Sequence, residues 1–313
     1  MIQPKLQFAA CASAGDTPQS HRMAYWQWGD ETAEHVVVCV HGLSRQGRDF
    51  DVLGRELVRR AGGALRVVCP DVVGRGQSDW VKNAKLYQPF TYAGDMLQML
   101  GQLHAQAPIQ TLDWVGTSMG GMIGMAVYGQ SGLPLAAPVR RLVLNDVGPA
   151  VEFASIQRIA GYIGQTGRYE SLEQAADAMW AISSSFGPHT KEQWLDLCRP
   201  MLKPIEGEPG MLTLHYDPAI GEMIRAATEE SVAQGTQLLW SLYDQIHAET
   251  LLLRGAESDL LSSETARQML LRGPKARLVE FAGVGHAPTL VAEDQVDVVV
   301  DFLLAPFQPA SSR

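Results

Sequence analysis

Ser118 stands in Gly116-Thr117-Ser118-Met119-Gly120, a serine between two glycines. An apolar run, Leu112 to Val115, precedes it, and a stretch with helical spacing (Met122, Ile123, Met125, Ala126, Tyr128) follows. A strand-to-helix corner this tight forces its central residue into a strained backbone and lifts the hydroxyl clear of the sheet. Side chains at Gly116 or Gly120 would strike the adjoining strand or helix. A serine hydroxyl is a poor nucleophile at neutral pH unless a base adjoins it, and histidine titrates in the right range. Of the eight histidines, His41 and His286 directly follow a strand-like run within a glycine-rich loop. His286, flanked by Gly283 and Gly285, is the better base. The base in turn needs a carboxylate to fix its tautomer and stabilise the imidazolium. Asp259 lies just beyond the run Leu251 to Arg254 and is the preferred acid, with Glu257 close by. Asp146, after the strand that follows Ser118, is the rival; its alternative role is to anchor a turn with Asn145 and Gly148-Pro149. Charge developing on a carbonyl oxygen calls for preorganised N–H donors. The amide of Met119 comes free where the new helix starts, and Gly42-Leu43 offers that of Leu43. His41 then reads as shaping its loop, with substrate contact as the alternative.

These groups need a scaffold. Lys5 to Ala12 and His21 to Trp28 alternate as strands around a turn at Gly15-Asp16-Thr17-Pro18, which suggests a hairpin. His35-Val-Val-Val-Cys-Val40 is an uninterrupted β-branched run, of the kind buried on both faces of a parallel sheet. Further strands are expected at Leu65 to Cys69, Val139 to Leu144, Thr250 to Arg254 and Ala276 to Phe281. Helices between them cover about Phe50 to Ala61, Thr91 to Ala105, Ser263 to Leu271 and Asp294 to Leu304. Alternation of this kind makes a parallel sheet with helices on both faces. It breaks from about Val151 to Tyr243, a helix-prone block with loop breaks at Gly187-Pro188, Pro204 and Pro209-Gly210. Such a block, inserted between two sheet strands, is expected to lie as a cap over the carboxyl edge of the sheet, where ligands bind. The tail from Pro306 to Arg313 is expected to fray.

Composition narrows the function classes. Across 313 residues 46% are hydrophobic, enough for one large α/β domain with an insertion. A net charge of −9 and no Lys/Arg cluster disfavour a nucleic-acid or anionic-membrane partner. Met1 to Ala14 lacks the pattern of a signal peptide, and no apolar run is long enough to span a membrane. Cys11, Cys39, Cys69 and Cys198 are widely spread and read as buried reduced thiols of a cytoplasmic protein. Neither His-x-x-Glu-His nor Cys-x-x-Cys spacing occurs, so no metal is expected. Gly74-Arg75-Gly76-Gln77-Ser78 lacks the Lys-Ser/Thr of a phosphate loop and reads as a tight turn, with Arg75 and Asp79 in surface contacts. Trp180, Trp194, Tyr216 and Trp240 are candidates for an apolar acyl pocket, though each is better read as core. Met119 is expected in the pocket wall. Arg158, Arg168 and Arg225 permit a substrate carboxylate without demonstrating one.

The chain resembles the α/β-hydrolase superfamily from about Gln7 to Leu304. The resemblance rests on His41-Gly42, on Asp71 with Gly74-Arg75-Gly76-Gln77-Ser78, on Gly116 to Gly120, and on Gly285-His286. It is similar to the capped esterase-like and C–C-hydrolase-like branch of bacterial enzymes. The resemblance implies a mostly parallel central sheet of about eight strands, a Ser/acid/His triad, no metal and no organic cofactor. It implies a core of residues 1–150 and 244–313 with a cap at 151–243. The order Ser118, Asp259, His286 matches the order expected of this fold, and some members place the acid where Asp146 stands. The expected activity is serine-dependent hydrolysis of small to medium apolar esters through an acyl-enzyme. C–C bond hydrolysis, lactone opening and thioester hydrolysis use the same triad, and a ligand-sensing protein is the alternative of another class. A serine nucleophile argues against haloalkane dehalogenase or epoxide hydrolase activity. Oligomeric state is left open.

Overall fold

The computed structural model describes residues 3–12 and 20–306. Strands β1 (Lys5–Ala12), β2 (Ser20–Gly29), β3 (His35–Val40), β4 (Arg66–Pro70), β5 (Thr111–Thr117) and β6 (Val139–Asn145) alternate with α1 (Asp51–Arg60), α2 (Pro89–Gln106) and α3 (Met119–Tyr128). The antiparallel pairing of β1 with β2 agrees with the expected hairpin, while its turn at Gly15-Asp16-Thr17-Pro18 and the tail 307–313 lie outside the described residues. After β6 the chain forms α4 (Phe153–Ala160), α5 (Leu172–Ser183), α6 (Lys191–Cys198), β7 (Leu202–Pro204), β8 (Leu212–Leu214), α7 (Ile220–Arg225) and α8 (Glu229–Tyr243). It closes with β9 (Glu249–Gly255), α9 (Ser263–Met269), β10 (Arg277–Phe281) and α10 (Glu293–Leu304).

Eight strands form one sheet in the order β1-β2-β4-β3-β5-β6-β9-β10. Pairings from β4 through β10 are parallel, and β2 alone runs against its neighbours. The Val-rich run of β3 sits between β4 and β5, where both faces need apolar cover. Its side chains divide with the strand period of two. Val36, Val38 and Val40 join one core with Met96, Leu100 and Ile123. Val37 and Cys39 join the other with Leu53, Leu57, Val299 and Leu303. Helices α2 and α3 therefore cover one face while α1 and α10 cover the other. Fully burying each such aliphatic side chain contributes about 1.5–3 kcal/mol, so this double apolar surface is what holds the sheet's centre rigid.

Chain direction reverses its winding at β3: β4 lies on one side of it and β5 on the other. A crevice opens at the carboxyl ends of strands at such a point. The helical insertion between β6 and β9 covers it, capped locally by Thr190 with Gln193 at α6 and Thr228 with Ser231 at α8. The breaks at Gly187-Pro188 and Pro209-Gly210 separate its elements as expected, whereas Pro204, expected as a loop break, ends β7 and pairs with Leu212. The small antiparallel pair β7/β8 was not foreseen, because strands of three residues carry too little periodicity to register.

Candidate active site

Ser118 occupies the corner between β5 and α3 with φ 51° and ψ −116°. This left-handed conformation costs a non-glycine residue about 1–3 kcal/mol, which the surrounding packing must offset. Two backbone bonds pin it, Ser118 N–H to the Asn145 carbonyl at 3.0 Å and Gly121 N–H to the Ser118 carbonyl at 2.9 Å. The glycines are needed for clearance: a methyl at Gly120 would collide with the Val40 carbonyl, and one at Gly116 with the backbone of Gly120 and Gly121. The hydroxyl consequently faces the crevice at the N-terminus of α3, the positive end of that helix.

His286, in the loop after β10, places Nε2 2.9 Å from Ser118 Oγ. Its Nδ1 lies 2.7 Å from Asp146 Oδ2. With Nδ1–H donated to the carboxylate, Nε2 is free to accept the serine proton. Asp146 follows β6 by one residue, adopts φ 54°, and is fully buried. Its carboxylate also accepts from Gly255 N–H at 2.9 Å and Ser258 Oγ at 2.6 Å. Three donors thus fix its orientation.

Asp259, the preferred acid from sequence, is not at His286. Its carboxylate takes Arg158 Nε at 2.8 Å and Nη2 at 3.0 Å, about half exposed, while its carbonyl accepts from Ser155 Oγ at 2.6 Å. The reason is distance along the chain. Asp259 stands four residues past the end of β9, and the turn that begins at Gly255 carries it outward to α4. That turn instead contacts Asp146, through Gly255 and Ser258.

The amides of Leu43 and Met119 donate to no protein group among the described residues. Leu43 lines the same cavity as Ser118, and Met119 begins α3. Arg75 links the two. Its guanidinium is fully buried and donates to the Leu43 carbonyl at 2.9 Å, the Val73 carbonyl at 2.7 Å and the Tyr92 hydroxyl at 3.0 Å. Its Nη2 reaches Met119 Sδ at 3.6 Å. The surface role expected for Arg75 is therefore wrong, and Asp79 pairs instead with Arg22. Met119 likewise turns its sulfur toward Arg75 and not into the pocket wall. No local pattern distinguishes such an arginine from a solvated one in a turn; only the packing of Tyr87 and Tyr92 against it buries the charge.

His41 is fully buried, with Nδ1 donating to the Gly42 carbonyl at 2.7 Å and Nε2 accepting from Val72 N–H at 2.9 Å. It ties the Leu43 loop to the turn after β4 and does not reach the cavity. Burial pushes its imidazole down to about 3. Because the folded value lies below the ordinary one, the associated stability is intact above about 6.5 and is lost as pH falls toward 3. The slope contributed is up to about 1.4 kcal/mol per pH unit. His41→Asn should therefore flatten the fall in Tm across this window relative to the parent chain. Parallel melting curves for the two would sink this account.

A cavity of about 120 Å³ opens beside Ser118 and His286. Gly42, Leu43 and Arg45 line one side of it, and Ile159, Met179 and Leu214, from the insertion between β6 and β9, line the other. Of the cap aromatics weighed above, Tyr216 lines it, with its hydroxyl accepting from Gly164 N–H at 3.1 Å. Trp194 is core, its Nε1 donating to the Ala176 carbonyl at 2.9 Å; Trp180 packs on it and Trp240 packs on Tyr243. Ser185 reaches the histidine loop from the cap, accepting from Gly285 N–H at 2.5 Å and donating to the His286 carbonyl at 3.3 Å. Among the described residues one cluster brings three potential metal ligands together, Cys11, His21 and Asp95, all buried between β1, β2 and α2. Burial and the neighbouring Asp95 push the Cys11 thiol up to about 12, which keeps it protonated and a poor ligand.

Known proteins resemble this chain in sequence and in fold. The model of the alpha/beta hydrolase family matches residues 37–302. A 3-hydroxybutyrate-oligomer hydrolase from Cupriavidus necator is 43% identical over 300 residues, covering 96% of this chain and 97% of that protein. The crystal structure of an alpha/beta hydrolase from Novosphingobium aromaticivorans is 31% identical, with a TM-score of 0.78 over 97% of this chain and 99% of the other. An M. tuberculosis esterase shares the fold at 18% identity, with a TM-score of 0.66 over 97% of this chain and 91% of its own. With the family model spanning most of the sequence and a relative of this identity spanning nearly all of it, the chain belongs to the alpha/beta hydrolase family and is a hydrolase of ester bonds.

Proposed function

We propose that this enzyme hydrolyses short oligoesters of 3-hydroxyalkanoic acids, of the 3-hydroxybutyrate type, through Ser118, His286 and Asp146. The observation that carries the mechanism is the continuous hydrogen-bonded line from Ser118 Oγ to His286 to Asp146, at 2.9 and 2.7 Å. Ser118 Oγ attacks the ester carbonyl while His286 Nε2 takes its proton, and the amides of Leu43 and Met119 receive the oxyanion. His286 then protonates the departing alkoxide. Water, deprotonated by the same Nε2, attacks the acyl-enzyme and releases the acid with Ser118 restored. Asp146 keeps the imidazole in the required tautomer and stabilises its cation. The substrate class rests on the Cupriavidus necator relative and on size. A cavity of about 120 Å³ is comparable with one of roughly 150 Å³ that admits benzene, so a hydroxybutyryl group of about six heavy atoms is of the right order.

In this reading residues 1–150 and 244–313 form the catalytic core and 151–243 the cap that selects substrates. The enzyme works in the cytoplasm, since its four cysteines are all free and buried, as expected where thiols stay reduced. No helix among the described residues is long and apolar enough to cross a membrane. Its partner is a small molecule; a net charge of −9 repels polyanions.

Two measurements test this. A fluorophosphonate probe should label Ser118, mapped by mass spectrometry, and labelling should vanish in His286→Ala. The dimer and trimer of 3-hydroxybutyrate should be cleaved to monomer. A folded protein that takes no label at Ser118 overturns the mechanism; labelling without oligomer cleavage overturns the substrate.

A further inference from the structure

Two guanidiniums and no carboxylate line the cavity beside Ser118. Arg45 and Arg158 contribute to its wall, and no Asp or Glu side chain does so among the described residues. The carboxylates that pair with them, Asp49 and Asp259, do not line the cavity, so the wall itself presents guanidinium groups. The two arginines are not equivalent. Arg45 is committed to structure: Nε and Nη2 both donate to Asp49 at 2.7 Å, and Nη2 also reaches the Leu197 carbonyl at 3.3 Å. Arg158 stands on α4 of the cap, 41% exposed, with Nε and Nη2 spent on Asp259. A guanidinium has five N–H donors, so beyond Asp259 and the neighbouring Tyr162 hydroxyl this one can serve a further acceptor. An ion pair this exposed contributes only about 0–1 kcal/mol and is readily shared or exchanged.

We propose that Arg158 binds the free carboxylate of the substrate, and that the enzyme therefore removes units from the carboxyl end of an oligoester. This rests on the hydroxyacid-ester reading above. In such an ester the last unit leaves as an alcohol whose own carboxylate is two carbons from the carbinol carbon. Ser118 Oγ forms a bond to the scissile carbonyl and the bond from that carbon to the terminal unit's oxygen breaks. The terminal alkoxide takes its proton from His286 and leaves as the 3-hydroxyacid. One water then releases the shortened chain. A carboxylate held by Arg158 on the cap fixes that leaving group over Ser118 on the core, so one contact supplies both orientation and selection for the acid end. Asp259 is the resting partner that keeps the guanidinium extended when no substrate is present.

The test compares kcat/KM for the 3-hydroxybutyrate dimer as free acid and as methyl ester. The parent enzyme should prefer the acid by about 10-fold or more, and Arg158→Gln should lower that preference by about 10- to 100-fold, mainly through KM for the acid. Arg158→Lys, which keeps the charge and loses the fork, should restore part of it. Inhibition of p-nitrophenyl acetate hydrolysis by 3-hydroxybutyrate gives a second readout that needs no oligomer turnover. Its Ki should rise about 10-fold or more in Arg158→Gln. An unchanged acid-to-ester preference together with an unchanged Ki would overturn the assignment to Arg158 while leaving the ester hydrolase intact. A parent enzyme that cleaves p-nitrophenyl acetate but neither dimer would instead overturn the oligoester reading, with the Ki shift then deciding whether Arg158 still reads a carboxylate.

Discussion

Ser118→Ala should lower kcat on any ester substrate by about 10⁶-fold with little change in Tm. In the proposed mechanism every step passes through Ser118, and His286 only moves protons taken from Ser118 or water. His286→Ala should therefore cost about as much, and the double variant no more than either alone. Additive losses would mean that the two residues act independently, contrary to the 2.9 Å contact between them. Residual turnover about 10³-fold over water is expected in all three, because the Leu43 and Met119 amides remain. The assay that checks this is steady-state hydrolysis of p-nitrophenyl acetate, with thermal melts to show that each variant is folded.

How much of this was legible before folding depends on the range of the determinant. Ser118 announces itself locally: two glycines, an apolar run before and a helical stretch after, all within one turn of strand and helix. His286 does so nearly as well, since Gly283 and Gly285 mark a loop that follows a strand. The β3 run read directly as a strand buried on both faces. The acid did not, because Asp146 and Asp259 each follow a parallel strand and both fall between Ser118 and His286 in the sequence. What separates them is sheet order and loop length. Asp146 stands one residue past β6, which lies between β5 and β9; Asp259 stands four residues past β9. Arg75 was illegible for a similar reason. Its turn has the composition of a surface turn, and only tyrosines distant from it in sequence, Tyr87 and Tyr92, close over the charge. Tyr216 could not be told from the three cap tryptophans, because it stands outside any helix, between β8 and α7, where only a bridge to Arg75, distant in sequence, places it at the cavity.

The same architecture ties the helical insertion to the residues around Asp146. One turn after β9 does two jobs: Gly255 and Ser258 hold Asp146, and Asp259 holds α4 of the cap through Ser155 and Arg158. On the far side Ser185 of the cap bonds the His286 loop at both Gly285 and His286. The insertion is thus connected to the loops of His286 and Asp146 through hydrogen bonds, which tolerate little displacement before they weaken.

The two aspartates should part sharply under substitution. Asp146→Asn is expected to lower kcat about 10⁴-fold, since an amide facing His286 Nδ1 can donate and so favours the tautomer whose Nε2 already carries a proton. That imidazole cannot accept from Ser118. Fluorophosphonate labelling should slow in step with ester turnover, because both need the activated hydroxyl. Asp259→Asn removes one partner of an exposed ion pair and should change kcat on p-nitrophenyl acetate by less than about threefold, with a stability cost within about 1 kcal/mol. The burial of Asp146 sharpens the contrast: its carboxylate is fully enclosed and bound by three donors, so an amide there also leaves Ser258 or Gly255 imperfectly paired. The reverse ranking, with Asp259→Asn crippled and Asp146→Asn active, would require the turn after β9 to rearrange in the working enzyme and bring Asp259 inward past Ser258. Equal and severe losses in both would point to the turn itself as the element that matters, and the Ser258→Ala variant would then lose as much as either.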